Sequence, residues 1–184
     1  MKLFILYSIV ANIVMVPLFF GTNKIFHIGF ANGLNNLSIV FNYTFLVFFI
    51  LFSMPDRKGI TLMIIGYAIS TCMIFFLLIN KNLKIPIQSA FALNHFGLIC
   101  YGTVYLIKIF FKIPEKLITE IPSFWVVMGV LICSTLSFPF VSILDFLRQN
   151  GIVYNNLLIL NLPNIGYSIM YLFFIKAFKC STRK

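Results

Sequence analysis

The chain has 184 residues, of which 61% are hydrophobic and 10% charged, with a formal net charge of +10 and a mean hydropathy of +1.02. A water-soluble domain carries roughly a quarter charged residues, so this composition excludes one and leaves no length for a soluble module beside a membrane domain. It predicts an all-α, polytopic integral membrane helical bundle with about six transmembrane helices, residues 1–184 forming a single transmembrane domain.

Six apolar runs follow one another at 3–20, 37–52, 60–79, 91–111, 124–144 and 157–178. Each is near the ~20 residues a helix needs to cross a hydrocarbon core of ~30 Å. The first follows Lys2 and imitates a signal peptide, but its apolar stretch is long and no small-x-small cleavage site follows, so it reads as a retained first span. Clusters of Asn, Gly, Pro and Lys mark the breaks: 31–36 before the second span, 54–59 before the third, 80–86 before the fourth, 114–122 before the fifth and 148–151 before the sixth. On the third span Gly66 with Ser70, and Ala68 with Cys72, have the four-residue spacing of a closely packed face. Trp125 opens the fifth span, where an aromatic belt at the membrane surface belongs.

The basic residues lie in the short connections and the tail. They form no soluble patch, so nucleic acid is not a partner; the lipid bilayer, with its anionic headgroups, is. In a six-span arrangement ten Lys and Arg fall on one side, among them Arg57, Lys58, Lys108, Lys112, Lys116, Lys176 and Lys179, and four fall on the other. Basic loops stay in the cytoplasm, which predicts a multi-pass protein of the bacterial inner (cell) membrane with both termini cytoplasmic. Cys72, Cys100, Cys133 and Cys180 have no paired spacing for a disulfide framework or a zinc site, and read as packing residues.

Catalysis inside a membrane needs ionisable groups at depth, and these are sparse here. Asp56, Glu115 and Glu120 fall in connections, Asp145 near the outer end of the fifth span and His95 near the outer end of the fourth; His27 is in the first outer loop. With no His-Glu-x-x-His, nucleophile elbow or phosphate loop, the sequence predicts no catalytic residue, no metal and no cofactor. What it does carry is uncharged polarity at helical spacing. The fourth span aligns Asn94, Gly97, Tyr101, Tyr105 and Lys108; the fifth Ser134, Ser137, Asp145 and Arg148; the sixth Tyr154, Asn161, Asn164, Ser168 and Tyr171. Asp145 and Arg148 have the spacing of an i,i+3 ion pair. Pro139 and Pro163 interrupt the fifth and sixth spans in their outer halves, where each removes a backbone hydrogen bond and frees a carbonyl. Two readings follow. The kinked helices enclose an outer-half polar pocket for a small ligand or headgroup, with Asn161, Asn164, Ser134, Ser137, Asn94, His95 and Asp145 as its candidate binding residues. Alternatively, these groups join helices through interhelical hydrogen bonds and the prolines shape the bundle.

The segment 121–132, with Pro122, Phe124, Trp125, Gly129 and Leu131, resembles a Pro-x-Phe-Trp-x-x-x-Gly-x-Leu signature of small multi-pass membrane proteins of Bacteroidota. The stretch 34–43, opening with Leu34-Asn-Asn-Leu37 and closing on Tyr43, is similar to the start of an early helix in that family, with Ser38 in place of a Trp, and 161–174 is similar to its closing helix. Such proteins are often encoded beside sensor histidine kinases, so the resemblance implies a role in signalling and a membrane histidine kinase, or another membrane protein, as partner; it implies no activity and no functional residue. The expectation is a non-enzymatic sensor or accessory subunit of membrane signalling. The alternative is a small transporter or permease-like protein built around the pocket between the fifth and sixth spans.

Overall fold

A computed structural model describes residues 28–80, 88–113, 115–150 and 157–181. Among them every regular element is helical: α1 (Ile28–Phe52), α2 (Ile60–Asn80), α3 (Gln88–Lys112), the single turn α4 (Glu115–Ile118), α5 (Pro122–Gln149) and α6 (Leu157–Ser181). The second to sixth apolar runs thus become α1, α2, α3, α5 and α6, while the first lies outside the described residues.

Three helices, not six, are long and apolar enough to cross a membrane among the described residues: Ile60–Ile79, Gln88–Lys112 and Pro122–Leu144. The apolar part of α1, Ser38–Phe52, is shorter, and the side chains of α6 are described only from Asn164 onward. One boundary differs outright. Residues 31–36, expected as a connection, lie inside α1: an Asn-Gly cluster costs a helix only about 1 kcal/mol per Gly and less per Asn, which tertiary packing of the helix, with Asn36 and Ile39 buried, outweighs.

Local chemistry sets the remaining ends. Pro122 occupies the first position of α5, where its missing N–H leaves nothing unpaired. Gly59 precedes α2 at φ +78°, a left-handed conformation that glycine adopts without steric cost. Pro139 lies within α5, which nevertheless stays helical to Gln149.

α3 is the hub. It packs against α1, α2 and α5, α1 also touches α2, and α6 is carried on α5. Close approach depends on missing side chains. A Cβ on Gly97 would lie 2.5 Å from the Tyr43 hydroxyl, one on Gly102 2.7 Å from Leu131 Cγ, and one on Gly129 2.9 Å from Phe173 Cβ. The buried core runs through Ile39, Tyr43 and Val47 of α1, Ile74 of α2, Leu98, Tyr105 and Ile109 of α3, Val126, Val127 and Val130 of α5, and Phe174 and Ala177 of α6. Outward faces are equally apolar. Leu62, Ile65, Ile69, Phe76 and Ile79 of α2 are each more than half exposed, an arrangement that water penalises and lipid does not. The chain is a membrane-embedded, all-α protein.

Candidate functional site

Polar groups inside this apolar body fall into three layers along α3, in the order in which that helix presents them.

The first layer lies toward the N-terminal end of α3. Asn94 and His95 of α3 and Ser134 and Ser137 of α5 are all buried, and His95 Nδ1 meets Ser134 Oγ at 3.4 Å, long for a hydrogen bond. Asn94 Oδ1 and Ser137 Oγ have no hydrogen-bond partner among the described residues; the thiol of Cys133, one turn before Ser137, lies alongside the latter. A buried polar atom left in this state costs about 1–3 kcal/mol. Of the seven residues expected to bind a ligand, these four are buried on the packed helices α3 and α5, and His95 and Ser134 meet. Asn164 does not join them, for it is exposed on α6, and the side chains of Asn161, Asp145 and Arg148 lie outside the described residues.

The orientation of α6 explains the separation. Its contact face is Gly166, Met170, Phe173, Phe174 and Ala177. A Cβ on Gly166 would lie 3.5 Å from the Cys133 backbone, and Phe173 and Met170 close over Gly129. The stripe of Asn164, Ser168 and Tyr171 is therefore turned outward, where the Ser168 hydroxyl donates to the Asn164 carbonyl at 2.9 Å. One groove among the described residues lies elsewhere, between α2, α3 and α5. It is open, offers about 490 Å³ and is lined by Met73, Leu77, Leu93, Phe96, Phe138 and Phe146 with Ser89, Ala92 and Ser142. Phe96 and Phe138 meet across it with ring centroids 5.8 Å apart.

The second layer joins α1, α2 and α3 through hydroxyls. Ser70 donates to the Tyr67 carbonyl at 2.9 Å, so in the 2.7 Å contact between Tyr43 and Ser70 the tyrosine is the donor. Thr44 and Tyr67 hydroxyls meet at 2.9 Å, and Tyr101 donates to the Met63 carbonyl at 3.1 Å. One turn further along α3, Tyr105 donates to Ser123 at 2.9 Å. In an apolar surround such closed pairs fix helix register without exposing a polar atom to lipid. The aligned face of Asn94, Gly97, Tyr101 and Tyr105 expected for this helix is buried as a unit, with Lys108 half-buried beyond it. Of the close-packing pairs expected on α2, Gly66 and Ser70 face Tyr101 and Tyr43, whereas Ala68 and Cys72 are exposed.

The third layer is the basic end. The Lys112 ammonium pairs with Asp56 Oδ2 at 2.8 Å, and Asp56 Oδ1 accepts the Lys58 N–H at 3.1 Å. Lys108 donates to the main-chain carbonyls of Asp56 and Lys58. The hydrogen-bonded Lys112 ammonium, aided by the Lys58 N–H, holds the Asp56 carboxyl below its ordinary range. On the other side of this end the Trp125 indole donates to the Thr119 carbonyl at 2.8 Å, as does the Cys180 thiol at 3.6 Å. Lys176 stands 5.5 Å over the Trp125 ring, a cation–π geometry. Trp125 thus ties the connection before α5 to the end of α6.

Sequence reading missed Asn36, fully buried and engaged, and the clasp of Asp56 by Lys108 and Lys112. The first could have been found from its two-turn spacing to Tyr43; nothing local points to the second. No cluster of three metal-ligating side chains occurs among the described residues. No family model, curated protein or solved structure matches this chain.

Proposed function

We propose that this chain is a non-enzymatic protein that crosses the bacterial cell membrane six times with both termini cytoplasmic, and that serves as a sensor or accessory subunit in membrane signalling. One observation carries the reading: a single helix, α3, holds the buried cluster of Asn94 and His95 near one end and the clasp of Lys108 and Lys112 on Asp56 at the other. A packed helix transmits a displacement at one end to the other because interiors are close-packed and stiff. The outer half would respond to a ligand or to the state of the membrane. The inner face, with Lys108, Lys112, Lys116, Lys176 and Lys179, would meet anionic headgroups and a membrane partner, for which the family resemblance suggests a histidine kinase.

The test is affinity purification of the tagged chain from native membranes with mass spectrometry. The expected result is a stoichiometric membrane partner that is lost from the double variant Lys176→Gln, Lys179→Gln and kept by Asn164→Leu. A chain that purifies alone, or a partner indifferent to the two lysines, refutes the reading.

The transporter alternative draws on the outward polar stripe of Asn164, Ser168 and Tyr171 on α6. In that case Asn161→Leu or Asn164→Leu abolishes uptake into vesicles while the lysine substitutions leave it intact.

A further inference from the structure

α3 and α5 run antiparallel in a register fixed by His95 opposite Ser134, Phe96 opposite Phe138, Gly102 opposite Leu131 and Tyr105 opposite Ser123. In this register Asn94 is level with Ser137. Successive helical residues turn by about 100°, so the two stand on the flank of the α3–α5 contact opposite to the one that Phe96 and Phe138 present to the groove. Of the three buried side-chain oxygens without a partner among the described residues, Thr71 Oγ1 lies on α2, while Asn94 Oδ1 and Ser137 Oγ share one level and one flank, beside the long contact of His95 with Ser134.

Asn94 Oδ1 is an acceptor in need of a donor, and the Ser137 hydroxyl, with only the weakly bonding Cys133 thiol beside it, can both donate and accept. An apolar ligand does not supply one, and lipid tails have none. The smallest group that does is water, which fits where two to four polar groups surround a space of its size, and four such groups stand here. We infer that Asn94, His95, Ser134 and Ser137 hold an internal water site at the α3–α5 contact, in which water donates to Asn94 Oδ1 and Ser137 Oγ and keeps the His95 ring hydrated within the membrane. The inference needs only that α3 and α5 lie in the bilayer. It stands or falls separately from the signalling role.

Solid-state NMR of the whole chain in lipid bilayers, labelled with nitrogen-15, tests it by magnetisation transfer from water. His27→Gln leaves His95 as the sole histidine, so its ring signals are unambiguous. The expected result is transfer to the His95 ring and the Asn94 side-chain amide but not to the backbone amide of Val127, a fully buried apolar residue of the same helix as Ser137. Ser137→Ala, which changes shape little, weakens the His95 transfer; Asn94→Leu with Ser137→Ala removes it without lowering the midpoint of heat denaturation. A His95 ring as dry as Val127, or a midpoint that falls when Ser137 becomes Ala, overturns the inference, because these atoms are then dry or bonded to protein.

Discussion

Replacing Gly129 by Ala tests how α6 is held. The new Cβ would lie 2.9 Å from Phe173 Cβ and 3.1 Å from the Met170 carbonyl oxygen, against an ordinary carbon contact of about 3.5–4.0 Å. Backbone on α6 does not yield as a side-chain tip does, so the helices must part by roughly 0.5–1 Å, and overpacking of this kind costs about 1–3 kcal/mol. Ala gains up to ~1 kcal/mol over Gly in helix propensity. The net loss, about 0.5–2 kcal/mol, lowers the unfolding midpoint by roughly 1–8 °C at the 2–4 °C per kcal/mol typical of this chain length. Gly166→Ala is the matched control, since its Cβ would meet the Cys133 backbone at an ordinary 3.5 Å; it is neutral or raises the midpoint by up to a few degrees. Heat denaturation in detergent followed by the fluorescence of Trp125, the one tryptophan, reads both, because its ring lies 5.8 Å from that of Phe173 on α6. A Gly129→Ala midpoint at or above the parent, or a Gly166→Ala midpoint as low as that of Gly129→Ala, would show that the α5–α6 approach is not the one described.

Three further outcomes are expected. Tyr43→Phe and Ser70→Ala each remove the 2.7 Å bond between α1 and α2, and a double-mutant cycle of unfolding free energies gives a coupling of about 0.6–1.7 kcal/mol; additivity would refute the bond. The Asp56 carboxyl titrates below its unfolded value, so its stabilisation is complete above the ordinary carboxylate range and is lost as pH falls through the folded value. Asp56→Asn therefore flattens the acid limb of a melting profile, and high salt diminishes the difference between the two chains; an unchanged acid limb contradicts the pairing with Lys112. Gly59→Ala strains the left-handed residue before α2 and lowers stability by about 1 kcal/mol in chemical denaturation, whereas a neutral result would place φ elsewhere.

Periodicity was sufficient for α3. Asn94, Gly97, Tyr101 and Tyr105 recur at helical spacing and are buried together, since a polar row in an apolar helix has only protein to turn toward when its partners are also polar. The same reasoning misplaced Asn164, Ser168 and Tyr171. Spacing fixes the angle between residues of one helix but not which face meets a neighbour, and in lipid no hydrophobic contrast decides it; the glycines at 129 and 166, whose lack of a side chain permits contact, were the better signal. The Asn and Gly at 32–36 read as a break because they disfavour helices, a preference that packing overrides where Asn36 is buried. The clasp of Asp56 by Lys112 joins the α1–α2 connection to the end of α3, remote in sequence, and only the folded path brings them together.

The hydroxyl pairs of Tyr43 with Ser70 and Thr44 with Tyr67 lie wholly within the α1–α2 hairpin, and this bears on how the protein is made. As the chain leaves the ribosome and enters the bilayer, the hairpin can close its own polar groups before α3 is synthesised. The Tyr101 hydroxyl then arrives to use the second lone pair of the Met63 carbonyl, and Lys108 and Lys112 reach the Asp56 turn only when α3 is complete. Biogenesis can thus proceed in N-to-C order, with each step leaving a partner for the next. If so, nascent chains truncated after residue 80 show the slowed Ser70 hydroxyl exchange of the closed hairpin; rapid exchange would mean that α3 is needed to close it.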